Sequence, residues 1–179
     1  VEDMREIADI DVLADEVLRL RMVVLSLGML AAGLAVSVLV LVGEKGAELG
    51  LSWLAALVAG SLAALPVHEL VHAAAFKLLV PGVRVGFGFK DAFLYTTING
   101  AVVPRCAELA ALLAPAVVVT ATLVAAALAR SCPVLAVLLA ATHLSGCAGD
   151  LLMAHTILRE PACTHVRDTE FGITLLAEG

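Results

Sequence analysis

The chain has 179 residues, 61% of them hydrophobic and 16% charged, with a net charge of -6 and a mean hydropathy of +1.03. This is far more apolar than a soluble domain, and the acidic balance without any basic run excludes a nucleic-acid-binding surface. The length suits a single domain, whose apolar surface is expected to face lipid.

From Val1 to Leu20, the residues Met4, Ile7, Ile10, Leu13, Val17 and Leu20 recur at helical spacing among Glu2, Asp3, Glu6, Asp9, Asp11, Asp15 and Glu16. The spacing predicts an amphipathic helix on the protein or membrane surface. Residues 1–21 are thus an amphipathic N-terminal segment, followed by one membrane-embedded domain over residues 22–179. The acidic run replaces the basic region that precedes the apolar core of a signal peptide.

Met22 to Val42 carries no charge and is long enough to cross a bilayer. A short polar turn, Gly43 to Gly50 with Glu44, Lys45 and Glu48, leads into a second apolar stretch over residues 51–80. Pro66 is expected to kink that stretch or to start a fresh helical segment. Between Pro81 and Arg105 the residues Val83, Val85, Phe87, Phe89, Phe93, Tyr95 and Ile98, followed by Asn99-Gly100, have the alternation and turn chemistry of a β-hairpin. A third span over residues 109–129 contains no ionisable group, and Pro115 is its candidate bend. Arg130 to Pro133 is so short that the fourth span, residues 133–158, must fold back on the third. Arg159 and Pro161 end that span, and Phe171 to Leu175 in the tail reads as a short strand. The expected fold is therefore an all-α integral membrane protein of about four transmembrane helices, with an amphipathic N-terminal helix and a small β-hairpin.

Basic residues set the orientation. Nine of the eleven, Arg5, Arg19, Arg21, Lys77, Arg84, Lys90, Arg105, Arg159 and Arg167, fall on one side of this arrangement, against Lys45 and Arg130 on the other. The richer side is cytoplasmic by the positive-inside rule, so both termini are expected inside.

The chemistry concentrates in the second span, at His68-Glu69-Leu70-Val71-His72. Residues four apart on a helix share a face, so both imidazoles can reach one metal ion. Glu69 is then placed to take a proton from an attacking water, the role this pattern gives its glutamate in metallopeptidases. Two histidines and a glutamate among Ala, Leu and Val are costly in an apolar environment without a task.

A third ligand is sought on the fourth span. His68 lies about 17 residues from Leu51 and Asp150 about 17 from Pro133, roughly 25 Å along each helix, which sets the two at one depth. Two histidines, a carboxylate and an open position describe catalytic zinc. His143, Cys147 and Asp150 share a helix face. His143 is accordingly either an alternative ligand or a group behind the ligands that orients them or the substrate. His155 lies elsewhere on the wheel and is expected near the interface. The four cysteines form no paired motif. Cys147 is read as a helix-packing residue, and Cys163-Thr164-His165 as a solvated tail rather than a metal site.

These residues resemble a known family. His68 to Phe76 with its H-E-x-x-H, the Gly and aromatic hairpin, Pro115, His143 to Asp150, and Asp168 look like a family of small putative zincin peptidases, similar in turn to the site-2 intramembrane metalloproteases. The resemblance covers roughly residues 50 to 175. Site-2 proteases usually carry Leu-Asp-Gly with an Asn upstream, whereas this chain has Gly149-Asp150-Leu151 and His143. The resemblance implies an intramembrane zinc metallopeptidase. Glu69 would be catalytic, His68, His72 and Asp150 would hold Zn2+, and His143 and Asn99 would stand behind the ligands or beside the substrate. Its partners would be a membrane protein or peptide substrate and the lipid bilayer, and its place a prokaryotic cell membrane. A haem bundle using His72 and His155, a transporter-like relay and a non-cleaving scaffold are the competing readings.

Overall fold

In a computed structural model, the described residues are 4–11, 14–44, 50–90, 93–169 and 172–178. Helices α1 (Glu16–Gly43), α2 (Leu51–Leu79), α3 (Arg105–Leu128), α4 (Pro133–Gly146) and α5 (Ala148–Arg159) carry most of the chain. Strands β1 (Met4–Asp11), β4 (Val102–Pro104), β5 (His165–Asp168) and β6 (Gly172–Glu178) form an antiparallel sheet in the order β1-β6-β5-β4, and β2 (Gly86–Lys90) pairs with β3 (Phe93–Thr97). The fold is mostly helical but not all-α.

The N-terminal segment is the first departure from the sequence reading. Residues 4–11 are a strand, not an amphipathic helix, and pair with β6 from Met4↔Glu178 to Asp11↔Gly172. Acids at helical spacing repel one another, whereas on an edge strand they point to water and discourage further pairing. β6 supplies the driving force, because Gly172 to Ala177 is buried throughout and needs a partner on each side. A side chain on Gly172 would strike the Ile10 carbonyl, so this pairing requires glycine there. The helix begins only at Glu16, where the Asp15 carboxylate accepts hydrogen bonds from the amides of Val17 and Leu18 at 2.8 and 3.0 Å.

The tail is likewise built in rather than solvated. Cys163, Val166, Ile173 and Leu175 pack with Ile10 from β1, Leu112 from α3, and Ala154 and Ile157 from α5. Arg105 ties this core together. Its guanidinium donates to the carbonyls of Ile157 and Leu158 in the last turn of α5, at 2.8 and 3.4 Å, and its amide donates to the Thr164 carbonyl. The sheet thus gathers the start of α1, the start of α3 and the end of α5.

Three helices, α1, α2 and α3, are long and apolar enough to cross a membrane, and α4 with α5 makes a fourth, broken candidate bent by 58°. The expected Pro66 break does not end α2, which continues through it. The break falls instead at Gly146-Cys147, in the stretch read as one straight span. Gly146 and Gly149 give the backbone little helix preference there, and the Cys147 amide is shared between the His143 and Leu144 carbonyls. At the other end of the bundle, Trp53 and Leu57 of α2 pack on Leu135, Ala136 and Leu139. α1 lies against α4, and Gly33 faces Ala141 so closely that a side chain on Gly33 would overlap it.

The hairpin forms as expected, but Asn99-Gly100 does not close it. Those two residues, at φ of 55° and 73°, carry the chain from β3 across to β4 in the other sheet, closed by the Ala101 amide on the Ile98 carbonyl. The hairpin's own turn, like the polar turn between α1 and α2 and Phe171, lies outside the described residues.

Candidate metal centre

His68 and His72 lie one helical turn apart on α2, eleven and seven residues before its end, and therefore close to the sheet rather than at the middle of the bundle. Their Nε2 atoms are 3.0 Å apart. The bend at Cys147 places Asp150 in the first turn of α5, facing them. Its Oδ2 lies 3.1 Å from His68 Nε2 and its Oδ1 lies 3.6 Å from His72 Nε2. Metal bonds of 2.0–2.2 Å at tetrahedral angles put neighbouring donors about 3.3–3.5 Å apart. Each carboxylate oxygen of Asp150 approaches one of the two imidazoles at close to that spacing, so His68, His72 and one oxygen of Asp150 would supply three ligands to a zinc ion.

The other imidazole nitrogens are occupied in the way that metal ligands require. His72 Nδ1 donates to the Ala111 carbonyl on α3 at 2.9 Å. His68 Nδ1 lies 3.3 Å from His143 Nε2, and His143 Nδ1 lies 2.8 Å from the Thr120 hydroxyl. With a metal on His68 Nε2, the proton sits on Nδ1 and donates to His143, whose own proton donates to Thr120. This chain of bonds fixes the rings and their tautomers.

A second set of donors shares His68. Cys147 Sγ lies 3.8 Å from His68 Nδ1 and 3.9 Å from His143 Nε2. Among the described residues, His68-His143-Cys147 and His68-His72-Asp150 are the two groups of three close enough to hold an ion. Cys147 is fully buried, as a packing residue would be, and is also in reach of two imidazoles. One imidazole serves both sets only through opposite nitrogens.

Glu69 is half-buried between α2 and the hairpin. Its Oε2 accepts the Thr96 hydroxyl proton at 2.7 Å, and the same hydroxyl lies 3.0 Å from the Glu69 carbonyl. Thr96 on β3 was invisible as a functional residue in the sequence, where it reads as an ordinary strand position. Glu69 stands on the wall of two cavities. One, of about 470 Å3, opens between α2, α4 and the hairpin and is lined by Leu62, Leu65, His68, Phe89, Leu94 and His143 among others. The other, of about 180 Å3, lies between α2, α3, α5 and the sheet, and its wall includes His72, Glu108, Asp150 and Asp168.

Asp168 joins the two sheets. Its Oδ2 accepts the Thr97 hydroxyl at 2.6 Å and the Ile98 amide at 2.8 Å, so it holds the end of β3, and with it Thr96, against β5. Burial pushes its carboxyl above the usual carboxylate range, against the opposing pull of those bonds. Asn99, in contrast, is an exposed turn residue whose side-chain amide donates to the Arg84 carbonyl at 3.4 Å, and it lines neither cavity. His155 is exposed and belongs to neither donor group.

A protein-family model described as "Putative zincin peptidase" matches residues 61–165, more than half of the chain and all three donors of the first set. No curated protein and no solved structure matches the chain significantly.

Proposed function

The chain belongs to the putative zincin peptidase family, and on that premise we propose that it is an intramembrane zinc endopeptidase resembling the site-2 proteases. The family supports metallopeptidase activity and implies zinc. The observation that carries the finer reading is the meeting of the His68, His72 and Asp150 donor atoms within 3.6 Å, with the Glu69 carboxylate on the adjoining residue, among helices apolar enough for a membrane.

Zinc in this position supplies Lewis acidity, lowering the pKa of a water toward 7 and polarising a peptide carbonyl. Glu69 accepts the proton of the attacking water and passes it to the leaving amine. The Thr96 hydroxyl holds the Glu69 carboxylate by a charge-assisted bond and so limits the rotamers from which it can act. His143 and the Ala111 carbonyl keep the two ligand imidazoles in register. A peptide bond within a helix is shielded, so the substrate has to unwind. The β2–β3 hairpin beside the large cavity offers strand edges for the extended segment.

Membrane residence is supported by the outward faces of the helices. Leu20, Leu27, Leu39 and Val42 on α1, and Leu51 and Leu78 on α2, are each 60–84% exposed, an apolar surface that water does not tolerate on a monomer. The pairing of β1 with β6 puts both ends of the described chain side by side, as an even number of crossings requires. The basic asymmetry supports a cytoplasmic position for that side, and a prokaryotic cell membrane is the proposed location. The haem reading gains no support, since His155 is exposed and His72 is buried.

Metal removal tests the proposal. Full-length protein in detergent, supplied with zinc and a panel of single-span membrane proteins, should cut at least one of them, stop after chelation, and resume when zinc is restored. Cleavage that survives complete removal of the metal would exclude a zinc peptidase.

A further inference from the structure

Glu108 lies one turn into α3 and is 2% exposed, and its Oε2 has no hydrogen-bond partner. A carboxylate left in this condition is costly, because burial removes its water and nothing replaces it. It lines the smaller cavity, the one that also reaches Glu69, Asp150 and Asp168. The ionisable groups that act on it through space are Asp168, His72 and Asp150, two further acids and one histidine. Glu69, Glu108, Asp150 and Asp168 together outnumber the two positive charges that a zinc ion would bring to this cavity, so a further cation would be favoured there.

A second metal ion does not fit. Among the described residues, neither group of three donors close enough to hold an ion includes Glu108. The Asp168 oxygen that faces the hairpin is already engaged by Thr97 and Ile98, which leaves one unpartnered oxygen rather than a coordination shell. The remaining walls include Met22, Phe76, Leu112 and Met153. A cavity of about 180 Å3 with apolar side chains beside its carboxylates suits the aliphatic stem and charged head of one side chain, and is too small for a drug-sized ligand.

We infer that this cavity is a specificity subsite for a lysine or arginine side chain of the substrate, with Glu108 as its counter-charge. The inference rests on the peptidase reading for its substrate and adds the substrate's class. Glu69 and Leu94 belong to the walls of both cavities, so the two meet at the proposed reaction centre. The larger one, apolar and between helices, takes the hydrophobic stretch. The smaller one takes a basic residue a few positions away. The preferred substrate is therefore a transmembrane segment cut near its end, where a basic residue borders the apolar run. Glu108 selects that residue and takes no part in the chemistry.

Binding without turnover tests this directly. The zinc-loaded full chain carrying Glu69→Gln, in detergent micelles, is titrated with labelled peptides. Each has an apolar Leu/Ala segment and a polar tail, with lysine, acetyl-lysine or norleucine at one of six successive positions after the segment. At one position lysine should bind about 10- to 100-fold more tightly than norleucine or acetyl-lysine, as expected for a buried charged hydrogen bond. Adding Glu108→Gln should bring that ratio to about one, and Glu108→Asp should keep part of it. Absence of a lysine preference at every position overturns the inference, as does a preference that survives Glu108→Gln, or equal weakening of all peptides with the ratio intact. Failure to bind any peptide overturns it too. If Glu108→Gln does not fold, the lysine against acetyl-lysine comparison in the parent decides alone. A wild type that cuts without lysine preference keeps the peptidase reading and loses the subsite, whereas a protein that prefers lysine but never cuts does the reverse.

Discussion

Thr96 on β3 donates its hydroxyl hydrogen to the Glu69 carboxylate on α2 at 2.7 Å, so the hairpin and the reactive helix meet at the proposed general base. Thr96→Val keeps the shape and removes that bond. A hydrogen bond to a charged group is worth a factor of about 10 to 100, and the variant's cleavage rate should fall by that order while its zinc content stays at the wild-type level. Thr96→Ser, which restores a hydroxyl, should recover most of the rate. Steady-state kinetics alongside metal analysis reads both, and a Thr96→Val enzyme with undiminished rate would remove Thr96 from the mechanism.

The two sets of donors that share His68 make opposite forecasts. If His68, His72 and Asp150 hold the ion, Ala at any of the three should strip zinc. Cys147→Ser should retain it, and His143→Ala should weaken it by about 10- to 100-fold, the usual cost of losing a group that orients a ligand. Zinc titrations against a competing chelator distinguish the cases. Zinc lost from Cys147→Ser and kept by His72→Ala would move the ion to the other side of His68.

How much of this arrangement was readable beforehand depended on whether the signal was local. His68 and His72 are fixed by helical spacing within one element, and counting residues along two helices was enough to bring Asp150 to their level. His143 lies against His68 Nδ1, a place that suits both of its expected roles, a group behind the ligands or an alternative ligand. Residues 4–11 were misread because apolar positions three apart also serve a bulged strand, with its register shift between Glu6 and Ala8, and only β6, more than 160 residues later, decides between the two. Glu108 escaped notice for a different reason. It stands in the first turn of α3, three residues after Arg105, where nothing in the local sequence signals burial, and its 2% exposure is set by tertiary packing. The break at Cys147 had a local sign in Gly146 and Gly149, which the long apolar run around them masked.

The proposed topology draws on the nine-to-two basic asymmetry and on the pairing of β1 with β6. Reporters fused near residue 46 or residue 131 should read as external, and those near residue 90 or at the C-terminus as cytoplasmic. A cytoplasmic signal at residue 46 would be incompatible with four crossings.

The most direct test of the central claim is the cleavage of single-span membrane proteins by zinc-loaded wild type and Glu69→Gln, measured side by side in liposomes with zinc content determined on the same samples. Glu69 is not one of the proposed ligands, so the amide should leave zinc near its wild-type level, while loss of the general base slows cleavage by about 10²- to 10⁴-fold. Equal cleavage by the two proteins would contradict the mechanism, and loss of zinc from Glu69→Gln would show that Glu69 holds the metal rather than the proton.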